Sequence, residues 1–328
     1  MSQLTDLTGL QLSRDLQWIQ NSPVLFNGQS HDCFVSSVLP ECQSDLFQPG
    51  YSLPTEAARH ITTALGQKRW HLLGIYYETL WHYLLDQHPA IQTLASNLQV
   101  QKADRSTLGE FDLIYHCLNT GITTHLELAV KFYLGIPDAS QKSDDSSWHQ
   151  WVGPGLKDRM DRKLHRLLNH QIRLGQTAEG AAVLKSLGVN QLVQAICFQG
   201  YLFYPVHGHC PAPADCNPNH LRGSWISLSA LPEWLAKFPT NLLYFRPAKL
   251  KWLAPFLETH FLETPGQENK RQLADNPVTL CQSLKPLNEP QLVIACSEQA
   301  NGYQEHHRFF VVPDNWQQKA EFACEKTE

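Results

Sequence analysis

The chain lacks any uninterrupted apolar run long enough to span a bilayer, so no membrane partner is expected. It also lacks an excess of positive charge. A net charge of −5 excludes a general polycation that coats nucleic acid, so any such binding must be local. The opening residues Met1-Ser2-Gln3-Leu4-Thr5-Asp6 have neither a basic stretch nor an apolar core, and no secretory leader is read there. Several catalytic signatures are missing too: Walker A, the dinucleotide glycine fingerprint, HEXXH and Gly-X-Ser-X-Gly. Nucleotide hydrolysis, NAD chemistry and serine hydrolysis therefore lack support. The nine cysteines are odd in number and form no repeated framework, which suits a reducing cytoplasm. No internal repeat is visible.

What is present is an ordinary globular composition, 17% charged and 42% hydrophobic, over 328 residues. That length buries a substantial core, as one large domain or two modest ones. Residues 10–100 read mostly as helix with turns, with 31–54 mixed and turn-rich and helical patterning over 55–88. A hairpin follows at 109–134, then a polar loop at 136–149 carrying Ser143-Asp144-Asp145-Ser146-Ser147. A helix is predicted from Leu156 to about Leu174, with Gly153-Pro154-Gly155 at its entrance. Strands are predicted at 193–206, 292–297 and 307–312, and a Pro- and Cys-rich loop at 207–223. Strands mixed with helices, one pair antiparallel, predict an α/β (α+β) architecture. The chain divides on this reading into 1–60, a helical or irregular region; 61–206, the core; and 207–328, an extension packed on it.

The hairpin carries the most chemistry. Alternation places Glu110, Asp112 and Ile114 on one face of the first strand, and Glu127, Ala129 and Lys131 on one face of the second. Asn119-Thr120-Gly121 supplies turn residues that tolerate left-handed backbone, which sets Asp112 across from a residue between Glu127 and Ala129. Crowded carboxylates repel unless a cation or proton joins them, so a divalent metal is expected. Leu72–Leu85 reads LLGIYYETLWHYLL, a helix expected to be largely buried with Glu78 as its single charge. A carboxylate there needs a partner, either a metal or a neighbouring hydrogen-bond donor. Gly74, one turn earlier, is expected to admit the sheet closely. In the helix after the hairpin, Arg159, Lys163, Arg166, His170 and Arg173 recur by fours and threes as a stripe suited to phosphates, or as an ordinary solvated face. His207-Gly208-His209-Cys210, Cys216 and His220 have zinc-ligand chemistry without established zinc spacing. Glu305-His306-His307 reads as a strand approach with surface polar residues.

Glu78 on a helix, Gly109-Glu110-Phe111-Asp112 on a strand, and Glu127 with Lys131 on the next together resemble the PD-(D/E)XK nuclease superfamily. Over nearly its full length the chain also looks like a bacterial family, domain of unknown function family 1853. That likeness rests on Gly74-Ile75-Tyr76-Tyr77-Glu78, the two strand motifs, Gly153 through Arg159, Gly200 through Pro205, and His220-Leu221-Arg222-Gly223. The nuclease resemblance implies a restriction-endonuclease-like mixed sheet with flanking helices and a magnesium-dependent hydrolase acting on nucleic acid, DNA first. It implies Mg²⁺ or Mn²⁺ held by Asp112, Glu127 and Glu78, with Lys131 positioning the attacking water. Arg159, Lys163, Arg166 and Arg173 would then face nucleic acid. The chain departs from the pattern at Ala129, where the superfamily's lysine would stand. Lys131 shares that face roughly 7 Å further along, and Lys157 or Lys163 could supply the ammonium instead. The alternative is a nuclease-like fold without catalysis, serving as a nucleic-acid-binding or scaffold protein. Many nucleases of this architecture work as dimers, so an oligomer is compatible with the sequence, although no dimer helix identifies itself.

Overall fold

A computed structural model describes residues 8–27, 34–35, 51–66, 72–137, 147–259, 274–300 and 302–325. Most of the 31–54 reading, and most of the loop holding Ser143-Asp144-Asp145-Ser146, lie outside the described residues. In chain order the elements are α1 (Gly9–Asn21), β1 (Phe34–Val35), α2 (Thr55–Gly66), α3 (Leu73–Asp86), β2 (Ile91–Gln101), β3 (Thr107–Cys117) and β4 (Ile122–Gly135). There follow β5 (Trp151–Val152), α4 (Met160–Arg166), α5 (Ala178–Ser186), β6 (Val193–Pro205), β7 (Leu221–Ser227) and α6 (Leu231–Leu235). The chain continues with β8 (Leu243–Phe245), β9 (Leu257–Thr259), α7 (Pro277–Ser283), β10 (Gln291–Gln299), β11 (Gly302–Val312) and α8 (Trp316–Glu325). This is a mixed α/β protein. Among the described residues no helix is long and apolar enough to cross a membrane.

Two compact units divide the chain. One comprises 1–131, 162–200 and 215–220; the other 132–161, 201–214 and 221–328. These boundaries do not follow the sequence divisions at 60 and 206. β4 and β6 each pass from one unit into the other, and a continuous apolar strand gives no compositional mark of such a boundary.

In the first unit the sheet runs β2-β3-β4-β6, with both hairpin pairings antiparallel and β1 parallel to β6. Helices α1, α2 and α3 pack on one another. Buried polar bonds fix them: Tyr76 Oη donates to Asp15 Oδ2 at 2.6 Å, and Gln11 Nε2 donates to the same oxygen at 2.9 Å. Gln199 on β6 donates to the carbonyls of Ile19 (3.0 Å) and Ser22 (2.7 Å) and accepts from Tyr77 Oη at 2.7 Å. Val100, Phe111, Ile114, Leu174 and Leu184 form a separate core beneath α5. Thr177 caps that helix, its hydroxyl accepting from Gly180 N–H at 3.0 Å.

The structure corrects the mostly helical reading of 10–100, because Ile91–Gln101 is strand β2. A register shift between Thr93 and Ala95 and the left-handed Asn97 (φ 49°) break its alternation, so the period-2 signal is lost. α3 also departs from expectation. Tyr76, Tyr77, Leu80, Trp81, Leu84 and Leu85 are buried, whereas Glu78 is half-buried and Gly74 exposed. A Cβ on Gly74 would meet nothing within 4 Å, so no sheet approaches there.

In the second unit the end of β6 begins a sheet running β7-β11-β10-β8. β6–β7 and β7–β11 are parallel, and β11–β10 and β10–β8 antiparallel. Trp234 of α6, Leu280 of α7, Tyr244, Val293 and Phe309 build one core. Arg308 is buried, held by Glu305 at 2.6 and 2.8 Å and by the carbonyls of Trp252 and Ala254. β7, whose first three residues fall in the predicted 207–223 loop, is the strand that joins β6 to β11.

Candidate functional site

The site lies in the first unit and grows from the β3–β4 hairpin. Gly121 (φ 70°) turns the chain, its N–H donating to Cys117 O at 2.8 Å. The paired register then runs from Cys117↔Ile122 to Leu113↔Leu126. One residue beyond, Asp112 Oδ2 accepts the Leu128 N–H at 2.9 Å, so the side chain meets a backbone donor where the pairing ends. Residues 124–130 of β4 are all buried, which is the pattern of a strand covered on both faces. Glu127 is therefore wholly buried and must be partnered.

Each of its oxygens has a partner. Glu127 Oε1 lies 2.7 Å from His125 Nε2, and Oε2 accepts from Gln171 Nε2 at 2.7 Å. Gln171 Oε1 in turn accepts from Lys163 Nζ at 3.1 Å. Lys163 and Gln171 are eight residues apart, about 80° out of phase on a regular α-helix. The expected continuous helix is not what forms: α4 starts at Met160, and Leu167–Gln171 is a π turn closed by Ile172 N–H to Leu167 O at 3.0 Å. The wider turn takes up extra residues and brings Gln171 back toward the Lys163 side.

Burial first, and then the Glu127 carboxylate beside it, push Asp112 up to about 7, against the Leu128 bond and the Lys163 ammonium. Burial also pushes Glu127 up to about 7, with Lys163 the strongest opposing charge. Lys163 is itself lowered by burial and by the neighbouring Lys131 ammonium. His125 is driven down to about 4, chiefly by burial, so its ring is neutral at pH 7. Its contact with Glu127 is then a hydrogen bond rather than an ion pair. The ring stands edge-on to Phe111, centroids 4.8 Å apart.

Two adjacent carboxyls that hold protons near neutrality, with an ammonium close by, form a charge-dense cluster. Carboxylate oxygens are the ligand type that suits a hard divalent cation.

A family model, domain of unknown function (DUF1853), matches residues 14–312. The chain belongs to this family. No curated protein and no solved structure matches it.

Within this DUF1853 chain the sequence candidates fall into distinct places. Asp112 and Glu127 come together. The ammonium acting on both is Lys163's, while Lys131 acts on Lys163. The expected three-carboxylate set is not assembled: among the described residues no three His, Cys, Asp or Glu side chains converge to hold a metal. Glu78 sits on the more open side of α3, where its charge acts on Tyr77. Glu110 accepts from Asn97 Nδ2 at 3.3 Å on the adjacent strand.

The basic stripe is broken up. Arg159 precedes the helix and belongs to the second unit, its fork engaging Asp161 at 2.7 and 2.9 Å and the carbonyls of Ala323 and Cys324. Lys163 turns toward the carboxylates, whereas Arg166 and Arg173 remain exposed. Of the zinc candidates Cys216 and His220 meet, Sγ to Nδ1 at 3.3 Å. That His nitrogen also lies 2.6 Å from Asn217 O, and Cys216 donates to Leu25 O at 3.2 Å, so both serve the loop. His307 packs among Trp234, Phe238 and Phe309 and bonds Ser224, and Glu305 pairs with Arg308. Gln171 and His125 carried no assigned role at the sequence level. Glutamine signals none by its type, His125 entered only as the first residue of the second strand motif, and no local pattern announces a π turn.

Proposed function

We propose that this protein hydrolyses phosphodiester bonds of nucleic acid with a divalent cation, in the manner of PD-(D/E)XK nucleases, and that its hairpin-centred sheet with flanking helices is a restriction-endonuclease-like core. The supporting observation is the Asp112–Glu127 pair with the Lys163 ammonium beside it. Asp112 and Glu127 would hold Mg²⁺ or Mn²⁺. The bound ion supplies Lewis acidity, activating water and neutralising charge on the phosphate. Lys163, taking the lysine role that Ala129 cannot fill, would offer a donor to the oxygens on which charge develops. Arg166 and Arg173, exposed on the same segment, would draw the phosphate backbone in, with binding weakened by salt.

The test is Mn²⁺-dependent cleavage of plasmid, single-stranded and branched DNA, and of RNA, by wild type and Glu127→Gln. Loss of about 100-fold or more is expected in the variant. Equal cleavage by both proteins overturns the reading. Because both carboxyls hold protons up to about 7, protons compete with the cation below that pH. Mn²⁺ affinity should therefore rise from pH 6 to pH 8, with proton release on binding. Calorimetry in buffers of different ionisation enthalpy checks both. A second reading, a nuclease-like fold that binds without cutting, draws support from Glu127, whose two oxygens already accept hydrogen bonds. It predicts no saturable Mn²⁺ binding that Glu127→Gln removes.

A further inference from the structure

We infer that Gln171 is a positioning residue that holds the Lys163 ammonium off the Glu127 carboxylate, keeping that carboxylate open to a divalent cation; this rests on the reading above. Lys163 reaches the site on a flexible four-carbon stem, half-buried beside the fully buried Glu127. Opposite charges so placed draw together into a direct ion pair unless something neutral stands between them. Here an amide does. Lys163 Nζ bonds Gln171 Oε1 at 3.1 Å, and Gln171 Nε2 bonds Glu127 Oε2 at 2.7 Å.

The chemistry of the two neighbours also sets which way the amide faces. An ammonium only donates and a carboxylate only accepts, so the flipped amide would oppose donor to donor and acceptor to acceptor. The amide passes one bond each way and carries no charge, so it separates the ammonium from the carboxylate without neutralising either. It reaches this position because the π turn re-phases Gln171 against Lys163. Such turns recur where a side chain must be re-aimed.

Gln171→Leu removes the spacer. In the metal-free variant a crystal structure should show Lys163 Nζ in direct contact with the Glu127 carboxylate. Calorimetry with Mn²⁺ alone should show affinity reduced about 10- to 100-fold. Adding Lys163→Met to Gln171→Leu should return affinity toward wild type, because the competing ammonium is gone. A merely structural role for Gln171 would not produce that rescue. If Gln171→Leu does not fold, as judged by circular dichroism, Gln171→Met carries the same three measurements. Unchanged Mn²⁺ affinity, or no rescue by Lys163→Met, overturns the inference while wild-type binding leaves the site reading intact. Wild-type protein that takes up no Mn²⁺ overturns both.

Discussion

Asp112→Asn should make the metal-free protein more stable at pH 8 and, on the proposed function, should remove any stabilisation by Mn²⁺. The carboxyl's folded value, about 7, lies above its ordinary value of 3.8 because it is buried beside Glu127. A raised folded value means that the folded state binds the proton more tightly than the unfolded chain. The stability this carboxyl contributes is therefore full below about 4 and is lost as pH rises to about 7. Asparagine keeps an oxygen for the Leu128 N–H and carries no charge, so its advantage grows across that window. The full rise corresponds to at most about 4 kcal/mol. With Lys163 offsetting part of it in the wild type, on the order of 2 kcal/mol is expected, roughly 4 °C or more in Tm. Scanning calorimetry in EDTA at pH 5 and pH 8 measures it. The same Tm difference at both pH values would remove the basis for a strained carboxylate pair. With saturating Mn²⁺ the order should reverse, since only the wild type keeps both carboxylates to bind it.

Gly200→Ala should abolish folding. Gly200 has φ 140°, a conformation that residues with a side chain rarely adopt, and a Cβ there would overlap the Lys131 carbonyl. Neither backbone can yield cheaply, because β4 carries Glu127 and β6 carries the buried Gln199 bonds. Loss above about 4 kcal/mol is expected, read as insoluble expression or the absence of a cooperative transition. Gly74→Ala is the contrast: its site is open, and a change of no more than about 1 kcal/mol is expected. A soluble, cooperatively melting Gly200→Ala protein would refute the close approach of the two strands.

The hairpin was legible because its signals are short-range. Alternation around Asp112 and Glu127 and the turn at Asn119-Thr120-Gly121 need only neighbouring residues, and with them comes the meeting of those two carboxylates. β2 was not legible, since a bulge and the left-handed Asn97 break its period. Glu78 misled for a related reason. The side of α3 that bears it looks as apolar as the others in sequence, and only packing decides which side stays open. The Arg159–Arg173 stripe assumed one uninterrupted helix, whereas the chain forms a late-starting α turn followed by a π turn.

Sequence alone determined the α/β class, the hairpin and the Asp112–Glu127 pairing, because turn chemistry and strand alternation act within a few residues. Tertiary structure decided that both carboxyls titrate near 7, that Lys163 is the ammonium acting on them, and that Gln171 bridges Lys163 to Glu127. Those outcomes depend on burial and on charges distant in the chain, and desolvation exists only once the surrounding elements have closed around the strand.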